Sequence, residues 1–161
     1  MTVNEILIQV RQRLGDMQKL SFSDEELINC LNDGMDELCY QMSESFEPEI
    51  LKSITLTNSG VEMPEDFISW QGQYPLEYST DDTGKTTFKH LDPDWDGTNN
   101  ILRYFAYRPH FTALTDTIPF KDKRQCKALM LQCIYQIKPK GGATGDSKGT
   151  SSNNGSTGTA Q

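Results

Sequence analysis

Residues 20–43 read LSFSDEELINCLNDGMDELCYQMS, and this stretch decides the fold. Ser23 followed by Glu26 is a capping box, in which each side chain satisfies the other residue's backbone N–H. Phe22 and Leu27 flank it at the spacing of a hydrophobic staple. Leu27, Ile28, Leu31, Met35, Leu38 and Met42 continue one apolar stripe at helical spacing, so a helix is predicted over about 23–45. Gly34 sits mid-helix, where it costs about 1 kcal/mol against Ala; that cost is repaid if a neighbouring helix backbone comes close. Glu47-Pro48 stops the run.

Working towards the N-terminus, Val3, Ile6, Leu7, Val10 and Leu14 make a second stripe, and a helix is predicted over about 3–14. Thr2 with Glu5 is its capping box and Gly15 its end. Beyond Pro48 the apolar period changes to two. Ile54 and Leu56, then Asn58-Ser59-Gly60, then Val61 and Met63 predict a hairpin, closed by a turn at Pro64–Phe67. Tyr74–Tyr78 and Thr86–Leu91 are candidate strands around the turn Asp81-Asp82-Thr83-Gly84, and ILRYFAY (Ile101–Tyr107) is the clearest strand of the chain. A third helix is predicted over about 123–137 on Cys126, Leu129, Met130, Cys133, Ile134 and Ile137, ended by Pro139 and Gly141-Gly142. The expected class is α+β, mainly helical: three long helices, an inserted antiparallel hairpin or small sheet over about 51–108, and an extended tail. The domain is drawn over 1–140.

Residues 141–161, GGATGDSKGTSSNNGSTGTAQ, are rich in Gly, Ser, Thr and Asn. Such a segment has almost no apolar area to offset its ordering entropy, so alone it should not fold. It is expected to order only against another chain, as a docking strand. The 161 residues otherwise suit one domain. No apolar run is long enough for a bilayer, and MTVNEILIQV lacks the basic start of a signal peptide. No membrane partner is expected.

The net charge of −8 is unevenly spread. Residues 1–66 hold 14 acids against 4 bases, whereas residues 117–161 hold 7 bases against 2 acids. An acidic half repels a phosphate backbone, and the separation can orient one copy against another or against a partner.

Few groupings carry chemistry. Asp92-Pro93-Asp94-Trp95-Asp96-Gly97 begins as a calcium loop does. The position of the bidentate Glu is Arg103, and no helices flank the segment, so Asp92, Asp94 and Asp96 are weak metal ligands and a turn-rich tip accounts for the same residues. Cys30, Cys39, Cys126 and Cys133 show no CxxC and read as buried thiols rather than a zinc site. His90 and His110 have no nucleophile in a recognisable motif, and no Gly-rich loop opens a helix. No catalytic residue and no cofactor is expected. Trp70, Tyr74, Tyr78, Tyr104, Phe105, Tyr107, Phe111 and Phe120 concentrate in and beside the strands and read as core or interface.

Four segments taken in order carry a resemblance. LSFSDEELINCLNDGMDEL (Leu20–Leu38), MPEDFI (Met63–Ile68), RYFAYRP (Arg103–Pro109) and LTDTIPFKDKRQCKALMLQCIYQ (Leu114–Gln136) together resemble the tailed-phage head-to-tail adaptor, or connector, family. The final helix departs from the family's alanine-rich pattern at Cys126, Lys127 and Cys133. The resemblance implies a structural virion protein, assembled in the host cytoplasm into a ring, usually a dodecamer. That ring sits at the head–tail junction, joining the portal to a nozzle or other tail protein, and double-stranded DNA passes through it without specific binding. On this reading Gly34, Lys123, Arg124 and Lys127 are expected between subunits. Lys138, Lys140, Gly141, Gly142, Thr144, Ser147, Lys148, Ser151, Asn153, Asn154 and Gln161 are expected on the portal. The rival readings are a small virion-associated hydrolase using acidic residues and a calcium-dependent binding module.

Overall fold

The structure is a computed structural model, and it describes residues 1–141, with side chains through residue 137. Helix α1 spans Val3–Leu14 and helix α2 spans Asp24–Glu44, each opened by its capping box at Thr2 and Ser23. A short 3-10 turn at Pro48–Ile50 leads into six strands: β1 (Leu51–Thr55), β2 (Val61–Glu62), β3 (Phe67–Trp70), β4 (Leu76–Thr80), β5 (Thr86–His90) and β6 (Ile101–Ala106). Helix α3 spans Lys123–Gly141. It continues past Pro139, where a stop was expected. A proline removes one backbone hydrogen bond and can bend a helix without ending it.

The expectation of a mainly helical protein is corrected. Among the described residues 37% are helical and 21% are strand, and the strands form two three-stranded antiparallel sheets rather than one small insertion. One sheet runs β1-β6-β3 and the other β2-β5-β4. The expected hairpin of Ile54–Leu56 with Val61–Met63 does not form. Ile54 pairs with Leu102 of β6, whereas Val61 pairs with Phe88 of β5. The chain does turn at Asn58-Ser59-Gly60, but it passes from one sheet into the other. Gly60 has φ +92°, and a Cβ there would lie 2.8 Å from the Phe88 carbonyl oxygen, so only glycine fits this crossing.

Three layers result. Helices α1, α2 and α3 bury Leu7, Val10, Leu31, Met35, Leu129 and Cys133 in one core. Burying each Leu or Met side chain contributes roughly 1.5–3 kcal/mol. The middle layer is the β1-β6-β3 sheet. Strand β6 alternates, as a two-faced strand must. Phe105 joins the helical core, while Leu102 joins a second core with Leu56, Leu76 and Phe88. Aromatic rings fill this second core: Trp70 meets Phe88 with centroids 4.9 Å apart, and Phe67 meets Phe88 at 5.6 Å. Of the aromatic residues expected in core or interface, Phe105, Tyr107, Phe111 and Phe120 pack with the helices, Trp70, Tyr74 and Tyr104 pack on the sheet side, and Tyr78 is exposed.

Gly34 lies where α2 crosses α3. A Cβ built on it would lie 3.0 Å from the Cys133 backbone nitrogen and 3.1 Å from Gln132 Cβ. The close approach read from sequence is therefore made within the chain, and the placement of Gly34 between subunits is corrected: the glycine is buried against its own third helix.

Candidate functional site

Helix α2 carries seven acids and no base over 21 residues. Helix α3, packed against it, carries five bases and no acid. On α2 the apolar positions turn inward, and Asp33, Glu37 and Glu44 fall on the exposed side together with Tyr40. None of these three carboxylates makes an ion pair among the described residues. The outward side of α2 is thus an uncompensated acidic stripe.

The opposite sign gathers elsewhere. A groove of about 450 Å³ opens between α1 and the start of α3. Ile6, Phe120, Cys126 and Met130 form its buried apolar floor. Arg13, Lys121, Lys123 and Lys127 stand around it, all exposed. No carboxylate lines the groove among the described residues. Its two walls are tied together. Thr2 bridges Thr117, the Ile118 N–H donates to the Met1 carbonyl at 3.0 Å, and the Val3 N–H donates to the Asp116 carbonyl at 2.9 Å.

The residues expected between subunits separate here. Lys123 and Lys127 line the groove. Arg124 does not, and its guanidinium holds Asp122 through Nε at 2.9 Å and Nη2 at 2.7 Å. Lys138, Lys140 and Gly141 belong to the last turn of α3, with side chains outside the description. Gly142, Thr144, Ser147, Lys148, Ser151, Asn153, Asn154 and Gln161 lie outside the described residues.

The acidic tip does not build a metal cradle. Asp92 Oδ1 accepts the Asp94 N–H at 2.9 Å, and Asp96 Oδ1 accepts the Thr98 N–H at 2.9 Å. Each of these carboxylates folds back on its own turn, and the Asp96 carboxyl is held below its ordinary range by its bonds to Thr98. No group of three or more His, Cys, Asp or Glu able to hold a metal exists among the described residues. The tip instead stacks His90 on Trp95, centroids 4.7 Å apart and 8° from parallel. These two rings line a cleft of about 790 Å³ with Tyr74, Leu76 and Ile101, at one end of the two sheets.

The carboxyls of Asp16, Asp24, Asp81, Asp96, Asp116 and Asp122 lie below their ordinary range, because their hydrogen-bond partners favour the charged form. The thiols go the other way. Burial pushes Cys133 up to about 12 and also raises Cys39 and Cys126. His110 Nε2 lies 3.0 Å from both oxygens of Asp36, an exposed pair bridging α2 and the loop after β6.

Sequence reading missed the network that shapes the entry to α2. Arg11 is buried; its Nη1 holds Asp16 Oδ2 at 2.7 Å and its Nη2 holds Asp24 Oδ1 at 2.8 Å. Asp16 in turn accepts the N–H groups of Leu20, Ser21 and Phe22. The signal was available, since Arg11 stands four residues after Leu7, on the apolar side of α1. Arg13 in the groove was also missed.

No protein-family model matches the chain, and no curated protein matches it. No helix among the described residues is long and apolar enough to cross a membrane.

Proposed function

We propose that this chain is a structural head-to-tail adaptor of a tailed phage. Copies would assemble into a ring of twelve that joins the portal to a tail nozzle or other tail protein and carries the DNA channel onward. The observation that supports it best is the division of charge between the packed helices: seven acids and no base on α2, five bases and no acid on α3. A conduit must surround double-stranded DNA without gripping it. The unpaired stripe of Asp33, Glu37 and Glu44 suits a channel wall that phosphates slide past. The bases of α3 suit contact with acidic groups on a neighbouring copy or on the portal. A one-handed pairing of unlike faces is how a heterologous ring closes. The ordered resemblance of four segments to the connector family points the same way, and the site of action would be the head–tail junction of the virion.

The test is a mass measurement of the purified protein with and without the portal of the same phage. A ring-sized complex sedimenting with portal supports the reading. A monomer that leaves portal rings untouched rejects it. A chain truncated after Lys140 should fold yet bind portal much more weakly. Equal binding would remove the docking role of residues 141–161.

A further inference from the structure

We infer that the groove between α1 and the start of α3 is a receptor for a short acidic peptide segment of another protein, one carrying a large apolar side chain among its carboxylates. This stands on the groove alone and holds whether or not the chain forms a ring.

The first ground is charge. The protein is acidic overall, and most of its described surface bases are spent on its own carboxylates or stand singly. Arg13, Lys121, Lys123 and Lys127 make no ion pair among the described residues, yet they converge on one concave surface. Arranging unpaired like charges around one cavity is unfavourable unless an anion completes it.

The second ground is shape and polarity. A phosphate or free anion needs no apolar floor. Here Ile6, Phe120 and Met130 line the base of the groove, and the volume of about 450 Å³ accepts a bulky side chain. An apolar anchor in a pocket rimmed by charge is the arrangement that gives peptide contacts both affinity and orientation. Duplex DNA fits poorly, because it offers no apolar side chain and α2 beside this half of the molecule repels it. The third ground is rigidity. The Thr2–Thr117 bridge and the Ile118-to-Met1 hydrogen bond fix the walls before any ligand arrives, which lowers the ordering cost of binding.

The test is fluorescence anisotropy with the full chain and a short fluorescein-labelled peptide of alternating Asp or Glu and Leu or Trp. Saturable binding that weakens with added salt is expected. The double variant Lys123→Glu, Lys127→Glu should weaken it at least about tenfold. Both side chains are exposed, and an unchanged circular-dichroism melt will show that the variant folds. Arg124→Glu should leave binding within about twofold, because that side chain faces Asp122 rather than the groove. Replacing Leu and Trp of the peptide by Ser should abolish binding.

Four results would overturn the proposal. They are the absence of saturable binding, equal binding by the double variant, equal binding of the Ser-substituted peptide, and displacement of the peptide by a short DNA duplex. A fifth is a self-associated wild type that the double variant converts to monomer, with peptide binding only after dissociation. That result would make a second copy the occupant.

Discussion

Asn32 and Phe111 hold each other by two hydrogen bonds across 79 positions of sequence: the Asn32 side-chain amide donates to the Phe111 carbonyl at 3.0 Å, and its oxygen accepts the Phe111 N–H at 2.8 Å. The side chain is buried, so a loop that lacks regular structure is pinned to the middle of α2 as firmly as a strand is pinned to its sheet. Replacing Asn32 with Leu strands one buried donor and one buried acceptor on Phe111. Each costs about 1–3 kcal/mol. Urea unfolding of Asn32→Leu should show a loss of at least about 2 kcal/mol. A loss within about 0.5 kcal/mol, the range of ordinary surface changes, would show that the clasp carries no stability.

Gly34→Ala sets two effects against each other. Alanine gains about 1 kcal/mol of helix propensity. Its Cβ, however, would meet the Cys133 nitrogen at 3.0 Å, and that atom is backbone, so α2 and α3 must part. Overpacking of this kind costs typically about 1–3 kcal/mol. The thermal midpoint of Gly34→Ala should fall, and that of Gly34→Leu should fall further. A rise for the alanine variant would mean that the two helices separate freely.

The Arg11–Asp16–Asp24 network predicts a pH dependence of defined sign. Bonds from the backbone N–H of Ser21, opposed by desolvation and helped by Leu20, Phe22 and Arg11, lower the Asp16 carboxyl below its ordinary 3.8. Lys19 and then Arg11 lower Asp24 likewise. A lowered carboxylate stabilises the fold fully above its ordinary value and loses that contribution as pH falls through the folded-state value. Stability should therefore drop below about pH 4. Asp16→Asn should flatten that drop. Arg11→Ala should cost about 3 kcal/mol at neutral pH, since it leaves carboxylates in a buried site without their cation. An unaltered acid limb in Asp16→Asn would assign the drop to other groups.

All four cysteines are buried, and none is joined in a disulfide. Burial holds Cys133 as a thiol up to about pH 12, and a thiol rather than a thiolate is inert to disulfide exchange. Ellman's reagent at pH 8 should find almost no reactive thiol in the native protein and four after denaturation. Rapid native reaction would show that the α2–α3 core opens.

The helices were legible because their signals are local. Thr2 with Glu5 and Ser23 with Glu26 mark the starts of α1 and α2 within four residues, and the stripes behind them run without a break. The strands were legible as segments and illegible as partners. Asn58-Ser59-Gly60 was read as a hairpin turn, and the chain does turn there. What decides the pairing is Leu102 opposite Ile54 and Phe88 opposite Val61, neither of them local to the turn. Strand β3 carried no signal, because Phe67, Ile68, Ser69 and Trp70 are all half-buried and show no alternation. The same limit governs the groove. Lys121, Lys123 and Lys127 were visible as a basic run, but Arg13 reaches them only through the packing of α1 on α3.

Strand β6 has one more consequence. It gives Phe105 to the helices and Leu102 to the outer sheet, and it is the central strand of its own sheet. Residues 51–108 are therefore no cassette. Lifted out, they would leave Leu51, Ile68 and Phe105 bare; deleted, they would uncover the helices that those side chains seal. The β4–β5 turn at Asp81–Gly84 can change without touching either core, whereas the tip at Asp92–Gly97 lends Trp95 to the second. Shortening β6 by one residue would turn each core's side chains towards the other's, and neither half could accept the trade.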